Sequence, residues 1–290
     1  MKTALLLPLT LLFASPLAAQ DAVPSPTPEA AEAARFAQER GQLMQEVLRT
    51  TGVAQGQYQG MVAGDIGTGY KGAIALRGDA ADTWRTLIFG QPGGDDAPLV
   101  AFAEYEIFDY RILSERIYPI NERPELQGDA LAMARGQIVA PRAVIAHEDV
   151  TFCINEDVTP GGQRIPFATL TFAMPPDDRG AFDVYVLNGP FDARFRPLGK
   201  HYKVHFDEFG VLGDPQLLTD TCEVVEWERD AAGLAETIYP ASHDGQIAPS
   251  EVHVFLSAQL PMPLGVMTDG TMWPVQSGMI GSPVAAPAAE

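Results

Sequence analysis

The chain has 290 residues and a formal net charge of −19, with 38 Asp and Glu against 19 Lys and Arg. A field of that sign repels nucleic acid and anionic lipid surfaces, so neither is an expected partner. After the N-terminal stretch no apolar run approaches the roughly 20 residues that a membrane-spanning helix needs, so no span is expected in the mature chain.

Met1-Lys2, an apolar run from Ala4 to Ala14 and the small residues Ser15-Pro16-Leu17-Ala18-Ala19 read as a secretory signal peptide over residues 1–19. With no Cys near the cut and no Arg pair before the apolar run, neither a lipoprotein anchor nor a twin-Arg route is expected. The expected location is periplasmic or secreted, in a Gram-negative envelope. Cleavage would remove Lys2 and take the formal charge from −19 to −20. In an oxidising compartment the only two cysteines, Cys153 and Cys222, are expected to pair. Closing a loop of about 70 residues would stabilise the fold by roughly 4 kcal/mol. Their separation excludes a C-x-x-C redox pair, and their number excludes four-thiolate zinc.

Residues 20–27 are rich in Pro and small polar residues and read as a flexible leader. Thr27-Pro28-Glu29 is a helix start, with a capping hydroxyl, Pro at the first helical position and an acid beside the positive end of the dipole. The spacing of Phe36, Leu43 and Val47 predicts an amphipathic helix to about Thr51, stopped by Gly52. Strands are predicted at Tyr70 to Leu76, Thr83 to Phe89 and Leu99 to Ile107, parted by Gly-Asp turns. A second helix is predicted over Glu125 to Ile138, with Pro141 ending or kinking it. Further strands are predicted at Thr151 to Asn155, Phe167 to Ala173, Phe182 to Leu187, Tyr202 to Phe206, Cys222 to Trp227 and Val252 to Leu256. A last pair follows at Gly265 to Met267 and Met272 to Val275. Asp207-Glu208-Phe209-Gly210 suits a longer hairpin loop, and Asp269-Gly270 a two-residue one. The fold class is α+β: mainly antiparallel sheets with a long N-terminal helix and one further helix. A single domain is expected over 28–278, with a subdomain split near 125 as the alternative and a disordered tail over 279–290.

Few constellations point to chemistry. His201 and His205 are four apart, but on an alternating strand they lie about 13 Å apart, too far to share an ion. With Lys203 between them they read as a solvated strand face, and His253 falls on the polar parity of its own predicted strand. Gly67, Gly69 and Gly72 match a dinucleotide-binding spacing without the helix that must follow it. Ser277 lacks a nucleophile elbow, and His147-Glu148 lacks the second histidine of a zinc protease helix. Trp84, Trp227 and Trp273 read as core or interface anchors. Glu104 and Glu106, with Asp109 beyond, form the best carboxylate group. On one strand face the first two lie roughly 6.7 Å apart, within the range of glycosidase acid pairs. Val100 and Phe102 precede them on the same parity, so that face is expected to begin apolar and become acidic.

Two stretches carry a resemblance. One is Gly199-Lys200-His201-Tyr202-Lys203-Val204-His205-Phe206, with the turn ending at Gly210 and a Cys a dozen residues on. The other is Glu251-Val252-His253-Val254-Phe255-Leu256-Ser257 and the hairpin that ends near Trp273. Over roughly residues 150 to 280 the chain resembles a family of uncharacterised exported proteins of proteobacteria. The resemblance implies export and a β-rich fold and carries no site residues.

The expected function is therefore that of a non-catalytic exported binding or interaction protein, its partner an envelope protein or a small ligand. No cofactor and no metal site are expected. The alternative is a secreted hydrolase acting through Glu104, Glu106 and Asp109.

Overall fold

The computed structural model describes residues 25–62, 68–152, 169–189, 195–227 and 237–286. The leader up to residue 24, Cys153 and all but the first two residues of the strand predicted at Thr151 to Asn155 lie outside the described residues; Thr151 and Phe152 are not in a strand.

Helix α1 (Pro28–Met61) starts as predicted, with the Thr27 hydroxyl accepting from the Ala30 amide at 3.2 Å. It does not stop at Gly52 but runs 34 residues. The reason is tertiary: Ala54 and Tyr58, beyond the glycine, are buried, and the Tyr58 ring lies 6.4 Å from that of Phe102. That burial outweighs the roughly 1 kcal/mol that a helical glycine costs. The buried stripe runs through Ala30, Ala34, Ala37, Gly41, Met44 and Val47, whereas Phe36, expected on the core face, is exposed.

Strands β1 (Tyr70–Arg77), β2 (Thr83–Gly90), β3 (Val100–Phe108) and β4 (Arg111–Ile117) form an antiparallel meander. β4 is absent from the sequence reading because Arg-Ile-Leu-Ser-Glu-Arg-Ile at a sheet edge is largely exposed and shows no clean alternation. Helix α2 (Gly128–Ala146) follows and passes through Pro141, with Ala140 and Val144 buried on either side of it. Strands β5 (Thr169–Ala173), β6 (Phe182–Asn188), β8 (His201–Phe206) and β9 (Gln216–Thr219) make a second antiparallel sheet in that order. Strand β7 (Phe195–Pro197) pairs apart from it with β10 (Val224–Glu226).

The third sheet combines β11 (Tyr239–Ser242), parallel to β12 (Leu264–Thr268), with β13 (Thr271–Gln276), β14 (Met279–Ile280) and β15 (Val284–Ala285). Thr268 faces Thr271 across Asp269-Gly270, the two-residue hairpin that was expected. Residues 279–286, expected as a frayed tail, instead fold back: Met279 pairs with Gln276, and Val284 with Met272. Between β11 and β12 a third helix, α3 (Glu251–Ser257), replaces the strand expected at Val252 to Leu256. All seven of its residues are buried, so its apolar run carries no helical period to read. The fold class is α+β, as expected.

The first two sheets lie side by side, with β1 next to β5. The two long helices cover opposite faces. One core joins α1 and α3 to Ala75, Ile88 and Tyr105 of the first sheet and to Tyr185 and Leu187 of the second. The other joins α2 to Ile74, Leu87 and Phe89 and to Val184, Val204 and Phe206. β6 and β8 thus present odd-numbered residues to α1 and α3, and even-numbered residues to α2.

Gly41 is where α1 and α3 come closest. A Cβ there would lie 2.6 Å from both the Glu251 carbonyl oxygen and the Val254 Cβ. Gly41→Ala should therefore cost about 1–3 kcal/mol through overpacking. Gly52→Ala, with no atom within 4 Å of the new methyl, should stabilise by up to about 1 kcal/mol. Urea midpoints of the two variants moving in the same direction would refute this packing.

Candidate functional site

Odd-numbered residues of β6 and β8 carry Asp183, Tyr185, His201 and Lys203 beneath α1 and α3, while His205 on the same parity is exposed, as expected. This face reads as solvated on composition alone, but the two helices bring matching polar groups down onto it. From α1, Arg40 donates to Asp183 Oδ2 at 2.6 Å and to the Tyr185 hydroxyl at 3.1 Å. From α3, Glu251 Oε1 accepts from Tyr185 at 3.3 Å and from Lys203 Nζ at 2.9 Å. His205 Nδ1 lies 2.9 Å from Asp183 Oδ1. Burial, followed by the Glu251 charge, pushes the Tyr185 phenol far above its usual range, so it stays a proton donor.

His201 is fully buried and has both ring nitrogens occupied. Nδ1 accepts from the Asn188 amide at 2.9 Å, which leaves the proton on Nε2, 3.1 Å from the Pro197 carbonyl. Burial lowers its pKa to about 4, so it is a neutral core histidine and not the solvated group expected. His253, expected on a strand, closes the N-terminal turn of α3: the Ser250 amide donates to its Nδ1 at 3.2 Å. Its ring meets that of His243 edge-on, with centroids 4.7 Å apart. Burial lowers both pKa values, so this pair is neutral at ordinary pH. Sequence reasoning passed over His243 entirely. The motif Pro249-Ser250-Glu251 was the available clue to α3, since it places a capping hydroxyl and an acid at a helix start.

Over this polar layer lies a half-open cleft of about 600 Å³. Phe36 and Ala37 of α1 form one wall, Gln216 to Thr219 of β9 another, and the loop His243 to Ser250 the third. Phe36, Leu217 and Ile247 supply exposed apolar surface at the opening. Asp220, Asp244 and Glu251 line it together with His243, and among the described residues no Lys or Arg does. Lys200 reaches Asp220, and the Ser242 hydroxyl donates to Asp244 at 3.0 Å.

The carboxylates singled out from the sequence lie elsewhere. Glu104 and Glu106 share one face of β3 and line a separate cavity of about 350 Å³ with Arg85, Ser114 and Arg116. Asp109 is not among its lining residues; it occupies the β3–β4 turn at φ 45°, a conformation that Asp tolerates. Val100 and Phe102 do not share the acidic face. Ile88 pairs with Ala103 and Phe89 with Ala101, so Phe102 is an extra residue that reverses the alternation. Glu104 accepts from Arg85 Nε at 2.6 Å and from the Tyr118 hydroxyl at 2.8 Å. Burial acts to raise its pKa, but those two hydrogen bonds and the Arg85 charge outweigh it and hold the group below the usual range. A carboxylate held ionised in this way is unsuited to donate a proton to a leaving group.

Of the glycine spacing, Gly67 lies outside the described residues, while Gly72 lies within β1, so the segment leads into a strand. Trp84 and Trp273 are buried, and Arg77 lies 4.1 Å above the Trp84 ring. Among the described residues no group of three or more His, Cys, Asp or Glu could hold a metal ion, and no helix is long and apolar enough to cross a membrane. No family model, curated protein or solved structure matches this chain.

The buried histidines set an acid limit on stability. With a folded pKa of about 4 against 6.5 in the unfolded chain, His201 binds its proton more readily when unfolded. Its contribution is therefore complete above pH 6.5 and is lost as the pH falls towards 4. It amounts to roughly 3 kcal/mol, with His243 and His253 acting in the same direction. Urea unfolding across that interval should show stability rising with pH, and a smaller slope in His201→Gln. A flat profile would refute the assignment.

Proposed function

We propose that this chain is a non-catalytic ligand-binding protein of the bacterial envelope, and that the cleft between α1, β9 and the loop His243–Ser250 takes a small organic cation with an apolar portion. The observation that carries this reading is the lining: carboxylates of Asp220, Asp244 and Glu251 and neutral His243, with no Lys or Arg among the described residues, beneath the apolar edge of Phe36, Leu217 and Ile247. A concave site with a few convergent polar groups under an apolar opening is the usual form of a small-molecule site. The non-catalytic part rests on Glu251, whose Oε1 already accepts from Lys203 and Tyr185, and on His253, whose Nδ1 is taken by the Ser250 amide and whose ring is fully buried. The chain's charge of −19 favours a cationic ligand over an anionic one.

Phenethylammonium is a suitable probe, with phenethyl alcohol as its uncharged control. At a hundred times its Kd the cation should raise stability by about 2.7 kcal/mol. Asp244→Lys should weaken it roughly tenfold, or about 1.4 kcal/mol. Equal binding of the alcohol, or no response to Asp244→Lys, would remove the basis of this reading.

Export belongs to the same proposal. It rests on the N-terminal residues 1–19, on the resemblance to exported proteobacterial proteins and on the two cysteines, of which Cys153 lies outside the described residues. The mature chain recovered from a periplasmic fraction should begin near Gln20 and resist iodoacetamide until it is reduced. A retained Met1, or alkylation of Cys222 without reductant, would refute export with a Cys153–Cys222 bridge.

A further inference from the structure

The cleft has a property that a simple cation pocket does not need: one of its walls is a sheet edge. Among the described residues β9 is the terminal strand in the order β5-β6-β8-β9, and every residue from Gln216 to Asp220 lines the cleft. The outer peptide groups of a terminal strand have no ladder partner, so they form a template for another strand. The four residues of β9 extend about 13 Å, enough to pair with four residues of a peptide. Natural edges are commonly blunted by Lys, Pro, inward charges or bulges; Gln216-Leu217-Leu218-Thr219 has no Lys, Pro or charge, and its one irregularity is a register shift at Leu218. Leu217 is 39% exposed on it, beside Phe36 at 58%.

A second observation points the same way. Thr219 is 1% exposed and lines the cleft, and its Oγ1 is buried with no hydrogen-bond partner among the described residues. A buried hydroxyl is ordinarily satisfied, so an orphan on a residue that lines the cleft marks a place where an incoming polar group would gain a bond.

Resting on the cation-binding reading above, we infer that the ligand is a peptide segment that docks in extended form by adding a strand to β9. A Lys or Arg side chain would face the carboxylates, and apolar side chains would lie against Phe36, Leu217 and Ile247. In strand addition the main chain provides affinity, and the alternate side chains provide selectivity. The charge is complementary: among the described residues three carboxylates and no cationic side chain line the groove. A free small cation would use those carboxylates but not the strand edge, and a neutral peptide would use the edge but not the carboxylates.

The test uses the mature protein and the acetylated, amidated peptide Val-Lys-Val-Thr-Val, followed by calorimetry. Three analogues accompany it: one with Glu in place of Lys, and two N-methylated at alternate sets of amides, which removes backbone donors and leaves the side chains unchanged. The parent peptide should bind. The Glu analogue and at least one N-methylated analogue should each bind at least tenfold more weakly, and Asp244→Lys should weaken the parent without affecting the fold. If both N-methylated analogues bind as well as the parent, strand addition is overturned. If phenethylammonium binds and none of the peptides does, the peptide inference fails while the cation cleft stands. If neither binds, both fail.

Discussion

Glu251 is the group on which the arrangement of α1 and α3 depends. Its side chain is only 8% exposed, and an isolated carboxylate at that depth would cost several kcal/mol. It is tolerated because Lys203 and Tyr185 both donate to it, while Tyr185 is itself held by Arg40, whose other donor grips Asp183. These five residues come from α1, β6, β8 and α3, and their bonds are directional. A slide of either helix along the sheet would leave a buried charge without its partner, which is far costlier than the apolar contacts it would exchange. Gly41 permits the register by letting the α3 backbone approach α1 without a side chain between them. Both features place Phe36 and Ala37 over β9 rather than flush with it, and the cleft is the space that remains.

The same constraint explains why two modest sheets hold together. Among the described residues each is a four-stranded antiparallel sheet, and β1 and β5 meet side by side. Apolar residues from both sheets enter both cores, so α1 on one face and α2 on the other each cross the junction. The bulge at Phe102 serves this arrangement. By doubling one residue it keeps both Phe102 and Ala103 towards α1, and it turns Glu104 and Glu106 towards the α2 side. There they pair with Arg85 and Ser114, and the result is a surface ion pair rather than an acid–base couple.

Much of the scaffold was legible from the chain. The start of α1, strands β1 to β3, β6, β8 and the Asp269-Gly270 hairpin all follow from local rules: a capping hydroxyl, alternation and glycine at a turn. The failures share one cause. Gly52, Pro141 and the run Val252 to Leu256 each obeyed a local rule that burial overrode. For the site the cost was greater. Polar parity on β8 suggests solvent, because a strand's alternation separates two faces but does not say what covers each. Arg40 and Glu251 lie 163 and 48 residues from Lys203 in sequence, and nothing local to β8 announces them. A single bulge, invisible to periodicity, was enough to put the expected acidic face on the wrong side of β3.

The charge balance of the cleft follows from what burial does to each group. Imidazoles at His243 and His253 lose their charge on burial, because desolvation disfavours the cation. They therefore offset none of the negative charge on the lining. The lysines that do offset it are not lining residues: Lys203 meets Glu251 and Lys200 meets Asp220. Asp244 has neither arrangement, since the Ser242 hydroxyl that donates to it carries no charge. A cation entering the cleft would compete with a lysine at Glu251 and Asp220 but not at Asp244. The carboxylate on the loop is thus the place where an added positive charge gains most, and the apolar wall of Phe36 and Leu217 is where the rest of the ligand loses most water.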